Sequence, residues 1–338
     1  MADDSVKLSQ PRAYSLALAP QVIHTQSKLL PALVSSRIHN QLDFQAVGSW
    51  FLLESSGEQK HVVRVPSGRE DIFQDSALDL KAKRSLMKFL RFVGNFEEQS
   101  ETWQSHAETP FSNFLQQKFG LPSTAHAPLL ALTLAPGAAK STSTAFALPR
   151  IARHLRSIGM FGPGFSAVLP KWGGLAEISQ VACRAGAVGG GVYVLKKGIE
   201  SSTLTGDGKL SLKLSDGEAV TTTWLTGCST DMPASALSTS TSNNFEQHGL
   251  TRSISVISSP LPALFPPTAE GGVSPAGAVV VVPSTNGKGP PVHILVHTSD
   301  AGECPSTQCT YPPLPNSSLH PSMMIKPYEY LSTLPELH

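Results

Sequence analysis

GMFGPGFSAVLPKWGGLAEISQVACRAGAVGGGVYVL, residues Gly159–Leu195, is the stretch on which the reading of the fold turns, because glycine density, a helical polar stripe and a strand-like run follow one another there without a break. From Ala176 to Ala187 the spacing predicts a helix. Glu177, Gln180 and Arg184 fall at i, i+3 and i+7, which puts all three on one face, and Ile178, Val181, Ala182 and Ala185 take the other. After Gly189, Gly190 and Gly191, the run Val192-Tyr193-Val194-Leu195 predicts a strand in which Val192 and Val194 share a side and Tyr193 points inward. Such a segment is either a helix-to-strand corner with a solvated helix face, or a polar and apolar platform that meets a partner.

Outward from that stretch, 338 residues suffice for one large or two ordinary domains. Lys and Arg number 26 against 25 Asp and Glu, so nothing argues for nucleic acid, and no polybasic block argues for a membrane surface. The four cysteines, Cys183, Cys228, Cys304 and Cys309, are scattered in a way that suits a reducing compartment better than a disulfide scaffold. No run of about 18 apolar residues predicts a transmembrane helix. The start, MADDSVKLSQPRAY, has neither the basic opening nor the apolar core of a signal peptide. A soluble cytoplasmic protein is expected.

In chain order, residues 1–13 read as disordered. Residues 14–75 hold a helical rhythm with Leu29, Leu30, Leu33 and Val34, interrupted by Pro31, and then a hairpin. Its first strand carries Phe44, Val47, Trp50, Phe51, Leu52 and Leu53, it turns at Ser55-Ser56-Gly57, and it returns through His61–Pro66. Residues 76–158 read as a helical domain. There Leu86, Phe89, Leu90, Val93 and Phe96 form a core stripe, while Met87 and Phe92 lie off it. Thr109 and Pro110 predict the N-cap and first position of a second helix, Leu129–Leu134 a third, and Pro149 the opening of a fourth that Gly159 stops. Residues 159–300 return to the sheet domain: a hairpin about Gly206-Asp207-Gly208 within Gly198–Leu214, a loop at Ser235–Asn244, and strands at Ile254–Ile257, Ala278–Val282 and Val292–Val296. Residues 301–338 are rich in proline and serine and offer little to a core.

Several chemistries find little support. Gly159–Gly164 misses the G-x-G-x-x-G spacing, and Gly189–Gly191 precedes a strand instead of a helix, so phosphate cradling for a flavin or a nicotinamide cofactor is not indicated. Cys304 and Cys309 have the wrong spacing for zinc, and His293 and His297 read as a pair on a sheet surface. Neither a G-x-S-x-G elbow nor H-E-x-x-H occurs.

The segment from Glu177 resembles the Rab escort protein and Rab GDP-dissociation inhibitor superfamily, whose motif GELPQGFxRLxAxxGGxYxL is matched by Glu177, Gln180, Arg184, Ala187, Gly190, Gly191, Tyr193 and Leu195. Ser179, Val181 and Ala182 depart from that motif, and the phrases Val65–Phe73 and Lys83–Glu98 are also similar to the family's. The resemblance implies an α/β (α+β) fold of the GDI-like kind, an incomplete flavoprotein-like mixed sheet domain with an inserted helical bundle, and a chain that lacks the family's N-terminal glycine-motif strand. It implies a non-catalytic accessory protein with no cofactor and no metal, component A of a Rab geranylgeranyltransferase. Its partners would be GDP-bound Rab GTPases, the α/β heterodimer of the transferase and the geranylgeranyl lipid on Rab. The Rab-binding platform would comprise Glu177, Gln180, Arg184, Val192 and Val194, and an exposed Phe92 with Phe89 would contact the transferase. The alternatives are an inhibitor that recycles prenylated Rab, and a flavin-dependent oxidoreductase of related fold.

Overall fold

A computed structural model describes residues 9–305 apart from 19, 57–58, 67–77, 173, 229–230, 237–253, 258–259, 268–271, 273 and 285–288. The elements run β1 (Ile23–His24), α1 (Leu29–Ser35), β2 (Phe44–Ser56), β3 (Gln59–Arg64), α2 (Leu80–Gly94), α3 (Ser100–Trp103), α4 (Phe111–Phe119), α5 (His126–Ala131), α6 (Thr144–Ser157), β4 (Ala167–Pro170), α7 (Leu175–Val188), β5 (Ile199–Leu204), β6 (Leu210–Leu214), β7 (Ala219–Thr222), β8 (Gly277–Val282) and β9 (Val292–His297). They fall into two compact units, Met1–Ala182 with Leu250–His338, and Cys183–Gly249. Helix α7 runs across that division.

The first unit is built on β2, which pairs antiparallel with β4 near its start, antiparallel with β3 near its end, and parallel with β8 along its other edge. The mixed sheet reads β1-β4-β2-β8-β9, with β3 on β2. A period-two strand should send Val47 and Trp50 to opposite faces. Instead, both enter the helix-side core. The register against β8 shifts between them, so a bulge supplies the extra residue. Gly48 sits at this shift, and a Cβ there would collide with the Pro275 ring.

Helices α2, α4 and α6 pack against the same core as Val47, Trp50, Leu52, Val279 and Val281 of the sheet. Five phenylalanines fill the space between them: Phe89 and Phe92 of α2 with Phe111, Phe114 and Phe119 of α4, at ring separations of 5.2–6.4 Å. Phe92 is therefore 5% exposed and Phe89 fully buried, not the surface anchors expected from the sequence. Phe92 lies off the stripe that one packing partner would define, but α4 and α6 both pack on α2 and widen its buried arc. Replacing it by alanine is expected to cost about 3–5 kcal/mol in urea unfolding.

Helix starts also differ from expectation. Pro110 is itself the cap of α4, and the Thr109 carbonyl instead accepts from the backbone N–H (3.0 Å) and hydroxyl (2.9 Å) of Thr144. Helix α6 begins five residues before Pro149, with the Ser143 hydroxyl accepting from Phe146 N–H at 3.3 Å. Proline forfeits one helical bond there, and burial of Ala147, Leu148, Ile151 and Ala152 outweighs the loss. Ser143→Ala is expected to lower stability by about 1 kcal/mol, read from a thermal melt. At the other end of α6, Arg156 donates to both Glu97 carboxylate oxygens and, at 2.8 Å, to the Gly94 carbonyl that ends α2.

The second unit is a three-stranded meander, β5-β6-β7, with Leu212 buried and the turn expected at Gly206–Gly208. Ser202 is tied to Ser235 through N–H to hydroxyl at 3.0 Å. Ile254–Ile257, expected as a strand, has no regular structure, because among the described residues no strand offers it a ladder. The phrase Gly68–Phe73, most of the Ser235–Asn244 loop, and 306–338 lie outside the described residues. Cys183 and Cys228 are free, whereas Cys304 is disulfide-bonded, so scattered spacing did not exclude a bridge.

Candidate functional site

The approach to α7 is a sequence of turns enforced by backbone conformation. Gly159, Gly162 and Gly164 hold φ of +83°, +148° and +81°, and they turn the chain from α6 into β4. This glycine cluster serves a turn, which accounts for its mismatch with a phosphate loop. Beyond β4, Trp172 adopts φ +59° with its N–H donating to the Ala301 carbonyl at 2.8 Å, and its indole lies against Gly302, where any Cβ would collide with it. Lys171 stands 4.8 Å from the centroid of that indole.

Helix α7 follows from Leu175. Leu175 and Ile178 pack against Ile23, Leu30, Leu33 and Val168, which gives the helix its footing, yet none of its residues is fully buried. Glu177 is half-buried in the first turn, and Gln180 and Arg184 are exposed. The three stand three and four residues apart, so their side chains line one stripe that spans about 10 Å. Among the described residues neither the Glu177 carboxylate nor the Arg184 guanidinium forms an ion pair within the chain.

The glycine run closes the helix. Gly190, at φ +92°, donates to the Ala187 carbonyl at 3.0 Å, and Gly191 donates to the Gly186 carbonyl at 2.8 Å, the paired bonds of a Schellman cap. A Cβ on Gly191 would stand 2.9 Å from that carbonyl oxygen, and one on Gly186 would strike the Tyr193 hydroxyl. The glycines are thus used for a helix end and for the seat of a tyrosine.

Val192–Leu195 is not a strand. Among the described residues the segment has no ladder partner, because β5 pairs there with β6 alone, and Lys196 then turns at φ +62°. Without a sheet, period two no longer assigns faces. Val192 and Val194 are exposed, and Tyr193 is more than half exposed while resting on Gly186, not inward as expected. Glu177, Gln180 and Arg184 are brought onto one helix; Val192 and Val194 follow its cap as exposed apolar side chains.

A second constellation went unseen in the sequence because its members are far apart. His24 of β1, Trp50 of β2 and His154 of α6 form a ring cluster in which Trp50 and His154 are buried and His24 is partly exposed: His24 stacks on Trp50 at 6.1 Å, and His154 meets Trp50 edge-on at 4.8 Å. Thr25 donates to the Ser157 carbonyl at 2.6 Å, and Ser166 lies 3.3 Å from His154 Nδ1. Burial, reinforced by the positive charge of Arg153, lowers the His24 pKa to about 4. Burial, with the nearby His24, lowers His154 to about 3. His293, expected on a sheet surface, is 5% exposed, and burial lowers it to about 4. His297 Nδ1 pairs with Glu303 at 2.6 Å. Among the described residues no group of three or more His, Cys, Asp or Glu side chains is placed to hold a metal ion. No helix among them is long and apolar enough to cross a membrane.

The GDP dissociation inhibitor (GDI) family profile matches residues 2–264. A protein of Saccharomyces cerevisiae named Rab proteins geranylgeranyltransferase component A is 36% identical over 192 residues, 56% of this chain and 30% of that protein. A Candida albicans protein of the same name is 35% identical over 182 residues, 54% and 28% of the two chains. The chain thus spans under a third of the length of these two relatives. Among solved structures, a Rab GDI from Plasmodium falciparum superposes with a TM-score of 0.59 at 17% identity, covering 88% of this chain and 66% of that one, which shows a shared fold.

Proposed function

The chain belongs to the GDP dissociation inhibitor family, and on that premise we propose that it acts as a Rab escort protein, the non-catalytic component A that presents GDP-bound Rab GTPases to a Rab geranylgeranyltransferase. The observation that carries the reading is the stripe of α7. Glu177 and Arg184 stand at the family's spacing on a helix seated at its start, with no ion pair of their own to break among the described residues. Each is free to make charge-assisted bonds to a GTPase surface, with Gln180 between them as donor and acceptor. The exposed Val192 and Val194 would add apolar area to that contact.

The names of the yeast relatives favour escort over recycling. An escort protein would also carry the geranylgeranylated product toward a membrane, sheltering a lipid whose burial is worth about 0.8 kcal/mol per methylene. Contact with the transferase heterodimer would fall to side chains other than Phe89 and Phe92, which the core consumes.

The test is reconstituted prenylation. Purified transferase heterodimer, unprenylated GDP-loaded Rab and geranylgeranyl diphosphate are expected to give modified Rab only when this chain is added. A chain that extracts prenylated Rab from membranes but does not support its modification would instead be a recycling inhibitor.

A further inference from the structure

We propose that the outer face of α2 docks the protein on an anionic phospholipid surface. Lys81, Lys83, Arg84, Lys88 and Arg91 place five cations within eleven residues, and no Asp or Glu occurs from Leu80 to Phe96. The chain's near-zero net charge conceals this, and the cluster runs against the expectation from the sequence that no polybasic block argues for a membrane surface. Burial of Ala82, Leu86, Phe89, Phe92 and Val93 fixes which side of α2 faces inward, so the cationic side is held outward without freedom to roll. Lys81, Arg84, Lys88 and Arg91 are exposed.

The face is more than a scatter of charge. Leu80, Lys83, Arg84, Met87, Lys88 and Arg91 line a shallow groove of about 410 Å³, and Leu80 at its head is 74% exposed. Cations flanking the exposed Leu80 match the layering of an interface, where long basic side chains reach headgroup phosphates and the leucine sits at the acyl boundary, while Met87 packs inward on the core and floors the groove. Among the described residues the lining comes from this single helix. A shallow groove lined by one helix suits a flat, laterally uniform anionic surface better than a peptide, which needs two walls to be held. Each cation near such a surface is worth about a fivefold gain in partitioning. This inference stands apart from the GTPase-binding reading, since α2 contributes nothing to the α7 stripe.

The experiment is vesicle co-sedimentation of the full chain. Wild type is expected to partition onto phosphatidylcholine vesicles carrying about 30 mol % phosphatidylserine, to ignore phosphatidylcholine alone, and to release as salt rises toward about 0.5 M. The exposed-residue variant Lys81→Gln/Arg84→Gln/Lys88→Gln/Arg91→Gln is expected to bind at least about fiftyfold more weakly. An unchanged far-ultraviolet circular dichroism spectrum would show that it folds. A control, Lys209→Gln/Lys213→Gln, should partition as wild type does. The proposal is overturned if the folded quadruple variant binds as well as wild type or if wild type does not distinguish the two vesicles. It is equally overturned if wild type binds poly-glutamate and not anionic vesicles, which would make the face a dock for an acidic protein.

Discussion

Between pH 6.5 and about 4.5 the protein is expected to lose roughly 5 kcal/mol or more of its unfolding free energy, well before most carboxylates titrate. The sign follows from three histidines that the fold keeps neutral, His154 and His293 buried and His24 partly so. His24, His154 and His293 have folded-state pKa values near 4, 3 and 4, against 6.5 when exposed in the unfolded chain. The fold holds them neutral, so below pH 6.5 the unfolded chain binds protons that the folded chain refuses. The stability they contribute is fully present above pH 6.5 and drains as pH falls toward the folded values. Two units of pH below the unfolded pKa cost about 2–3 kcal/mol per histidine. Charging His24 also makes charging the adjacent His154 harder, which deepens the effect. Urea midpoints taken at half-unit pH steps would measure the slope. His293→Leu, which removes one titrating group from an apolar site beside Val281, should flatten that limb by about a third. A midpoint constant from pH 6.5 to 4.5 would mean that water reaches these rings.

Reversing both charges of the α7 stripe, Glu177→Arg with Arg184→Glu, is expected to weaken binding of a GDP-loaded Rab by at least about a hundredfold. Removing one member of a desolvated charge pair at an interface costs about 2–5 kcal/mol, and reversal adds repulsion from the group that remains. Either single change should give more than about tenfold. Stability is expected to move by less than about 1 kcal/mol, because Arg184 is exposed, Glu177 is half-buried, and neither makes an ion pair among the described residues. Surface plasmon resonance beside a thermal melt separates the two effects. Unaltered affinity in the folded double variant would remove α7 from the interface.

Much of this architecture is legible from local pattern. The β2–β3 hairpin, the stripe of α2, the Gly206–Gly208 turn and the strands β8 and β9 all announce themselves through periodicity or turn chemistry. Helix α7 and the order of Glu177, Gln180 and Arg184 on it are equally plain. What is hidden depends on partners distant in the chain. β1 is two residues long and exists only because β4 lies beside it, and β4 itself is four apolar residues ending in proline. Phe92 looks surplus until two helices are packed against α2. Val192–Leu195 has the composition of a strand but nothing to pair with, and β-propensity measures fit to a sheet more than a preference of the backbone. The His24, Trp50 and His154 cluster joins residues separated by as many as 130 positions, and no spacing rule could have gathered them.

Calorimetric titration of the full chain with a Rab GTPase loaded with GDP, beside the same GTPase loaded with a non-hydrolysable GTP analogue, addresses the central claim most directly. The account predicts saturable binding of the GDP form, one GTPase per chain, and markedly weaker heat from the GTP form. A folded chain that gives no saturable heat with the GDP form, or that binds both forms alike, would contradict it.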